Sequence, residues 1–219
     1  MSKQKTLASI IDIGLVPIVR AGSPEAAVLA AEAIYRGGIR AVEITMTVPG
    51  ALRALEKVAD QFGDRMMLGA GTVLDPETAR ACMLAGAEFF VTPALKLSTI
   101  EMCHRYSKVI MPGALTPTEV QMAWEAGADL VKIFPCGNMG GPKYIRALKA
   151  PFPQIEMVPT GGVNLDTAAD FLRAGACAVA VGSEMVNAKA LAEGKLDVIE
   201  QAARQFLAVI AEARREMRA

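Results

Sequence analysis

The sequence predicts an α/β fold, a single (β/α)8 TIM barrel with a short N-terminal helix and a C-terminal helix, spanning residues 1–219 as one domain. Two observations lead there. Short β-rich runs alternate with longer helical stretches, at residues 16–20, 41–45, 67–69, 89–92, 109–111, 130–134, 156–158 and 178–181, and eight strands close a parallel barrel. A short segment also recurs four times at intervals that hold two strand–helix units each. A chain of 219 residues buries one substantial core and is short for two full α/β domains.

Helix starts are marked independently of the strands. Ser23-Pro24, Asp75-Pro76 and Thr116-Pro117 each put a capping side chain before a proline at the first helical position, where the missing N–H is no loss. Thr116 with Glu119 fits a capping box. Residues 6–13 predict a short helix closing the bottom of the barrel. Residues 197–217 carry Val198, Ile199, Ala202, Ala203, Phe206, Val209, Ile210 and Ala213 at helical spacing, a stripe for packing on the barrel or for an oligomer contact.

The repeat reads Gly37-Gly38-Ile39-Arg40-Ala41-Val42-Glu43, Ala85-Gly86-Ala87-Glu88-Phe89-Phe90-Val91, Ala126-Gly127-Ala128-Asp129-Leu130-Val131-Lys132 and Ala174-Gly175-Ala176-Cys177-Ala178-Val179-Ala180. The second glycine (or the one after alanine) ends a helix and feeds the next strand. The copies mark the second, fourth, sixth and eighth strands, so Glu43, Val91, Lys132 and Ala180 fall at one height and on one face. Barrel interiors are built from layers of four side chains from alternate strands. Opposite charges at equivalent positions in strands two and six therefore point inward, with the small Val91 and Ala180 leaving room beside them for a ligand. Either charge buried alone is expensive, so the pair needs mutual compensation, water or substrate.

Composition narrows the function. Lys plus Arg and Asp plus Glu number 23 each, leaving no net positive field for nucleic acid. No apolar run reaches the roughly 18 residues that cross a bilayer, and no secretory leader is read in the first 14 residues, so neither membrane nor secretion is expected. Cys82, Cys103, Cys136 and Cys177 are scattered, without a CxxC unit, and read as reduced thiols. His104, the single histidine, follows Cys103 directly and shares no helix face with it; it reads as a surface or packing residue, and no zinc site is expected.

Within the barrel, Lys132 has three candidate roles: salt-bridge partner, anion anchor, or covalent nucleophile attacking a ketone. Thr160-Gly161-Gly162 follows strand seven and Gly182-Ser183 follows strand eight, the loops in which barrels commonly hold phosphate. Ser183 is expected to open a short helix aimed at that anion. Gly69-Ala70-Gly71-Thr72 ends strand three in a tight turn with Thr72 near the substrate carboxylate, and Arg20 ends strand one as a donor pair for that carboxylate or for phosphate. Phe134 reads mainly as packing, and residues 138–141 as a flexible loop near the mouth.

These residues lie in ordered motifs: Val42-Glu43-Ile44-Thr45, Gly69-Ala70-Gly71-Thr72-Val73, Thr92-Pro93, Met111-Pro112-Gly113, Val131-Lys132-Ile133-Phe134-Pro135 and Pro159-Thr160-Gly161-Gly162. In them the chain resembles the 2-keto-3-deoxy-6-phosphogluconate and 4-hydroxy-2-oxoglutarate aldolases, class I enzymes on a phosphate-binding barrel, from about residue 16 to about residue 186. The resemblance implies a lyase acting on a small 2-keto acid, with Lys132 as Schiff-base nucleophile and Glu43 as proton shuttle. It implies that Thr72 and Pro93 line the pyruvyl site, that Gly161, Gly162, Gly182 and Ser183 receive phosphate, with Thr160 and Phe134 supporting, and that the enzyme is a cytoplasmic homotrimer without metal or other cofactor. Many members carry an arginine four residues after the strand-two glutamate; this chain has Thr47, a weaker, neutral donor toward the carboxylate, and Arg20 compensates in a subset of the family. A phosphate-binding barrel that isomerises or epimerises a sugar phosphate, a noncatalytic binding or assembly barrel, and a metal-dependent pyruvate aldolase are the competing readings.

Overall fold

A computed structural model describes residues 2–218. Its strands are β1 (Leu15–Val19), β2 (Ala41–Thr45), β3 (Met67–Gly71), β4 (Phe89–Val91), β5 (Val109–Met111), β6 (Gly113–Ala114), β7 (Val131–Ile133), β8 (Met157–Pro159) and β9 (Val179–Val181). Each of the eight expected strands is present, residues 41–45 and 109–111 as expected and the others with an end displaced by one or two residues, as strand ends fray. The fifth is divided into β5 and β6 at Pro112, which has no N–H to continue a ladder.

All pairings are parallel. They form a curled six-stranded sheet in the order β5-β4-β3-β2-β1-β9 and a three-stranded sheet β6-β7-β8, rather than one uninterrupted eight-stranded ladder. Backbone contacts span the gaps. The N–H groups of Asp129 and Leu130 donate to the Ile110 carbonyl at 3.2 and 3.4 Å, Cys177 N–H donates to the Met157 carbonyl at 3.1 Å, and an isolated bridge pairs Thr160 with Ala180.

The strands are buried on both faces, which is why they read as near-continuous apolar runs. Alternation then sorts their side chains into two cores. Val16, Ile18, Ala41, Met67, Phe89, Val91, Val109, Met111, Leu130, Val158, Ala178 and Ala180 pack together inside the curl. Their neighbours, among them Val19, Val42, Ile44, Leu68, Phe90, Ile110, Val131, Ile133 and Val179, pack outward against the helices.

The four repeat copies share one hydrogen-bonding pattern. Gly38, Gly86, Gly127 and Gly175 are all left-handed, with φ of 102°, 98°, 86° and 102°. In each, the following residue returns its N–H to a carbonyl five residues earlier: Ile39 to Ile34, Ala87 to Cys82, Ala128 to Ala123, Ala176 to Phe171. This is the Schellman closure, and it delivers each strand from its helix in the same register.

The outer helices are α2 (Pro24–Arg36), α3 (Ala51–Phe62), α4 (Pro76–Leu84), α5 (Leu97–Arg105), α6 (Pro117–Glu125), α7 (Pro142–Lys149) and α8 (Ala168–Arg173), then a short α9 (Ala188–Ala192) and the long α10 (Leu196–Arg218). Ser23, Asp75 and Thr116 cap α2, α4 and α6 as the sequence predicts, and Thr116 and Glu119 complete the capping box. α10 packs against α2 and α8 through Ile199, Ala203, Phe206, Ile210 and Ala213. Val198 of the predicted stripe is exposed, and Ala202 and Val209 lie at its half-buried margin.

The first helix, α1 (Lys3–Ile13), starts three residues earlier than expected and is capped by Ser2. Ile10 is fully buried in the inner core at the N-terminal ends of the strands, and Arg214 of α10 donates to the carbonyls of Ile11, Asp12 and Cys177. Among the described residues no helix is long and apolar enough to cross a membrane. Ile10→Ala empties the bottom of the inner core without touching the opposite end of the strands; urea unfolding is expected to show a loss of about 2–5 kcal/mol.

Candidate active site

At the C-terminal ends of the strands the inner core gives way to polar groups. Glu43 and Lys132 are 1% and 3% exposed, in the layer that also holds Val91 and Ala180. The ladder explains the equivalence, since it steps by the same two residues from each copy to the next: Glu43 pairs through Gly69 with Phe89, two before Val91; Val91 with Met111, two before the Gly113 that pairs with Lys132; Lys132 with Val158, two before the Thr160 that bridges to Ala180; and Ala180 with Val16, two before the Ile18 that pairs with Glu43. The equivalence read from the repeat therefore places both charges inside.

No salt bridge or hydrogen bond joins the two. Both Glu43 carboxylate oxygens are buried and lack any hydrogen-bond partner, while Lys132 Nζ stands 5.0 Å from the centre of the Phe134 ring. Burial pushes the Glu43 pKa above its ordinary value, opposed by the positive charges of Lys132 and Arg20. Burial pushes the Lys132 pKa down, opposed by Glu43 and reinforced by Arg20. Desolvation is the leading cause in both, so the site favours a neutral amine and a carboxyl group more basic than usual.

Above this layer opens a cavity of about 170 Å³. Its walls include Arg20, Phe134, Thr160, Gly161, Gly162, Ala180, Gly182 and Ser183, eight of the residues singled out in the sequence, together with Ile18, Val163, Asn164 and Glu184; Glu43 and Lys132 adjoin it through Ala180 and Phe134 and do not themselves line it. Phe134 is half-buried on this wall, so it faces the cavity as well as packing. The Thr160 hydroxyl is buried without a partner. Arg20 is exposed and forms no ion pair among the described residues; a side chain at Gly182 would come within 3.1 Å of its Nη1. A larger cleft of about 870 Å³ lies between α1 and the end of α10. It contains none of the polar constellation, so chemistry favours the smaller cavity.

The two glycine-rich loops shape its far side. Gly161 and Gly162 are consecutive left-handed residues, with φ of 85° and 75°. The N–H groups of Gly162, Val163, Ser183 and Glu184 donate to no group of the chain among the described residues, which leaves a concavity of backbone donors beside the Arg20 guanidinium, a setting for an anion. The loop is held from behind by the segment after β7: Cys136 N–H donates to Thr160 O and Gly137 N–H to Gly161 O, both at 2.9 Å. Cys136 and Gly137 make this seam; the segment expected as a mouth loop begins just after them, with residues 137–139 in a 3-10 turn and Asn138, Met139 and Gly140 exposed. Ser183 does not open a helix. Residues 182–186 form a turn in which Met185 and Val186 donate to the Gly182 carbonyl, and α9 begins only after its own cap, Asn187.

Thr47, Thr72 and Pro93 stand at the same end of the strands but do not line this cavity. Thr47 is exposed, with its hydroxyl 2.7 Å from that of Thr45, which in turn donates to Val19 O. Thr72 is half-buried at φ 55°, a region few residues with a side chain adopt and one that concentrates at functional sites. Pro93 is held by Thr92, whose hydroxyl donates to Ala94 O at 2.6 Å and accepts from Gly113 N–H at 3.1 Å. Thr45 and Thr92 stand in the sequence motifs but were given no role of their own, although the period of two continues inward from Glu43 to Thr45. Asn164 was also missed; its side chain accepts from the N–H groups of Asp166 and Thr167, an Asx turn visible in Asn164-Leu165-Asp166-Thr167. The four thiols play no part: burial pushes Cys82, Cys103, Cys136 and Cys177 up to about 12, leaving no thiolate near neutral pH.

Comparison with known proteins matches residues 8–202 to the family described as KDPG and KHG aldolase. The chain is 33% identical over 198 residues to the 2-dehydro-3-deoxy-phosphogluconate aldolase of Treponema pallidum, covering 90% of this chain and 94% of that protein. It is 36% identical over 175 residues to the 2-dehydro-3-deoxy-6-phosphogalactonate aldolase of Escherichia coli, covering 80% and 85%. Among solved structures, KDPG aldolase from Legionella pneumophila, with pyruvate captured at low pH as a covalent carbinolamine intermediate, superimposes with a TM-score of 0.85 at 28% identity, over 91% of this chain and 96% of that one.

The buried charges also bear on stability. A raised Glu43 pKa means that its penalty is absent below 4.5, grows as pH rises from 4.5 to the folded value and is full above it; a lowered Lys132 pKa means that its penalty is absent above 10.5, grows as pH falls from 10.5 to the folded value and is full below it. The double variant Glu43→Gln/Lys132→Met is therefore expected to be more stable than the parent at pH 7 by about 1–4 kcal/mol. Urea unfolding between pH 4 and 10 should show the Glu43 share of the gain fading toward the acid end and the Lys132 share toward the alkaline end.

Proposed function

This chain belongs to the KDPG and KHG aldolase family, and from that premise we propose that it reversibly cleaves 2-keto-3-deoxy-6-phosphogluconate to pyruvate and glyceraldehyde 3-phosphate, and 4-hydroxy-2-oxoglutarate to pyruvate and glyoxylate, through a Schiff base on Lys132. The observation that carries the reading is the desolvated Lys132–Glu43 pair beneath a cavity whose opposite side offers Arg20 and free backbone N–H groups. One end of such a substrate is a ketone next to a carboxylate; the other, in the phosphorylated case, is a dianion.

In this mechanism the neutral Lys132 amine attacks C2 of the 2-keto acid, and loss of water gives an iminium. Glu43, directly or through one water, takes the C4 hydroxyl proton as the C3–C4 bond breaks, and the electron pair enters the iminium to form an enamine. The aldehyde leaves. Proton return to C3 and hydrolysis of the iminium release pyruvate and free Lys132. Arg20, Thr47, Thr72 and Pro93 serve the pyruvyl carboxylate end, and Gly161, Gly162, Gly182 and Ser183 the phosphate, with Thr160 and Phe134 supporting. Thr47, already hydrogen-bonded to Thr45, leaves Arg20 as the charged donor facing substrate.

Residues 1–219 act as one catalytic unit, in which the two sheets and their bridging contacts make a closed eight-stranded barrel. The family resemblance supports a homotrimer working in the cytoplasm without metal or other cofactor.

Incubation with pyruvate and borohydride, followed by peptide mapping, is expected to leave a reduced pyruvyl adduct on Lys132. Lys132→Ala should abolish it, and Glu43→Gln should lower the cleavage rate by about 10²–10⁴-fold with the fold intact. Cleavage of sugar acid with no adduct anywhere, or loss of activity to a chelator, would overturn the Schiff-base assignment. Comparative assays on 2-keto-3-deoxy-6-phosphogluconate, its galactonate epimer and 4-hydroxy-2-oxoglutarate rank the substrates. Ser183→Ala should raise KM for the phosphorylated substrates about tenfold, one hydrogen bond to a charged group, and leave the unphosphorylated one unchanged.

A further inference from the structure

The inner wall contains three positions with no side chain, and each void is filled by a neighbour. A methyl group at Gly69 would meet the Phe89 ring at 2.1 Å, one at Gly113 the Pro93 backbone at 2.4 Å, and one at Gly71 the Glu43 Oε1 at 1.8 Å. The first two voids are packing. The third holds the carboxylate around which the chemistry turns.

No group of the chain among the described residues hydrogen-bonds that carboxylate. Shape is what remains, and Gly71 supplies it. A methyl there would also lie 2.5 Å from Glu43 Cδ and 2.6 Å from Cγ, far inside the roughly 3.5–4.0 Å of a carbon contact. The overlap runs along the whole end of the side chain, so rotating the carboxylate does not relieve it. Nor does the backbone demand glycine: Gly71 is absent from the positive-φ glycines, and it is the next residue, Thr72, that adopts the left-handed conformation.

We propose that Gly71 is a positioning residue, whose missing side chain is the socket that seats the Glu43 carboxylate at the height where it exchanges protons with substrate. This rests on Glu43 being the proton shuttle. The step it serves is the reversible transfer of a proton between C3 of the pyruvate-derived iminium and Glu43, which converts iminium and carboxylate to enamine and carboxylic acid.

The test follows exchange of the pyruvate methyl protons in D2O by NMR, alongside borohydride trapping on Lys132. In Gly71→Ala, trapping is expected to persist while exchange per trapped site falls by about 10²-fold, as for a displaced proton-transfer group. Glu43→Ala removes the overlapping Cγ, Cδ and Oε1 together with the shuttle, so Glu43→Ala/Gly71→Ala should exchange at the residual rate of Glu43→Ala alone. The proposal is overturned if Gly71→Ala exchanges within about threefold of the parent, or if the two losses multiply in the double variant as they do for independent positions. Should Gly71→Ala fail to fold, urea unfolding decides: Glu43→Ala and the double variant should share one midpoint, and a midpoint lowered by Gly71→Ala in that background overturns the socket. Glu43→Gln tests the underlying reading separately: if it keeps full exchange, the shuttle assignment falls and the socket with it, whereas lost exchange there with normal exchange in Gly71→Ala removes the socket alone.

Discussion

Two opposite charges are buried in one apolar layer without touching. A direct ion pair between Glu43 and Lys132 would satisfy both and leave both inert; full separation in an apolar interior would cost several kcal/mol per ion. The structure lies between these limits. Each group is stripped of water and feels the other through space, so neither keeps its ordinary proton affinity. Much of the surrounding architecture serves this compromise. Small Val91 and Ala180 keep the layer open, Gly71 makes room for the carboxylate, and Phe134 gives the amine a wall.

The same layer separates two kinds of requirement. Below it the inner core is apolar and sealed by Ile10, and its job is burial. Above it the groups are polar and several are unpaired: the Thr160 hydroxyl, the Arg20 guanidinium and a run of backbone N–H groups. Unpaired polar groups weaken a fold, and their concentration at one end of the strands is the mark of a site completed by its ligand. The seam from Cys136 and Gly137 to Thr160 and Gly161 ties the glycine-rich loop after β8 by two hydrogen bonds to the segment that follows the strand carrying Lys132.

Much of this was legible in the sequence because it is periodic. The four glycine copies are one Schellman closure used four times, and identical closures deliver identical registers, so Glu43 and Lys132 could be placed in a layer before any coordinates. What escaped was contact through space between parts of the chain that have no shared period. Gly71 looks like any strand-end glycine until the Glu43 side chain is seen filling its void. Thr92 looks like a strand residue until its hydroxyl is found clasping the Pro93 turn to Gly113. The turn at Ser183 and the exposed position of Thr47 depend on local hydrogen bonds, to Gly182 and Thr45, that compete with the expected helix cap and the expected substrate contact.

The last helix has a consequence of another kind. By packing between α2 and α8 it takes a place in the outer layer, and through Arg214 it grips the carbonyls at the end of α1 and the approach to β9. The earliest and latest helices of the chain thus fasten the same corner. A long chain whose first and final segments are bound to each other resists fraying from either side, because peeling one away first requires breaking its hold on the other. Resistance to local opening is therefore invested where the chain would otherwise be loosest, at the end of the molecule remote from the chemistry, while the mouth is left free to yield to its ligand.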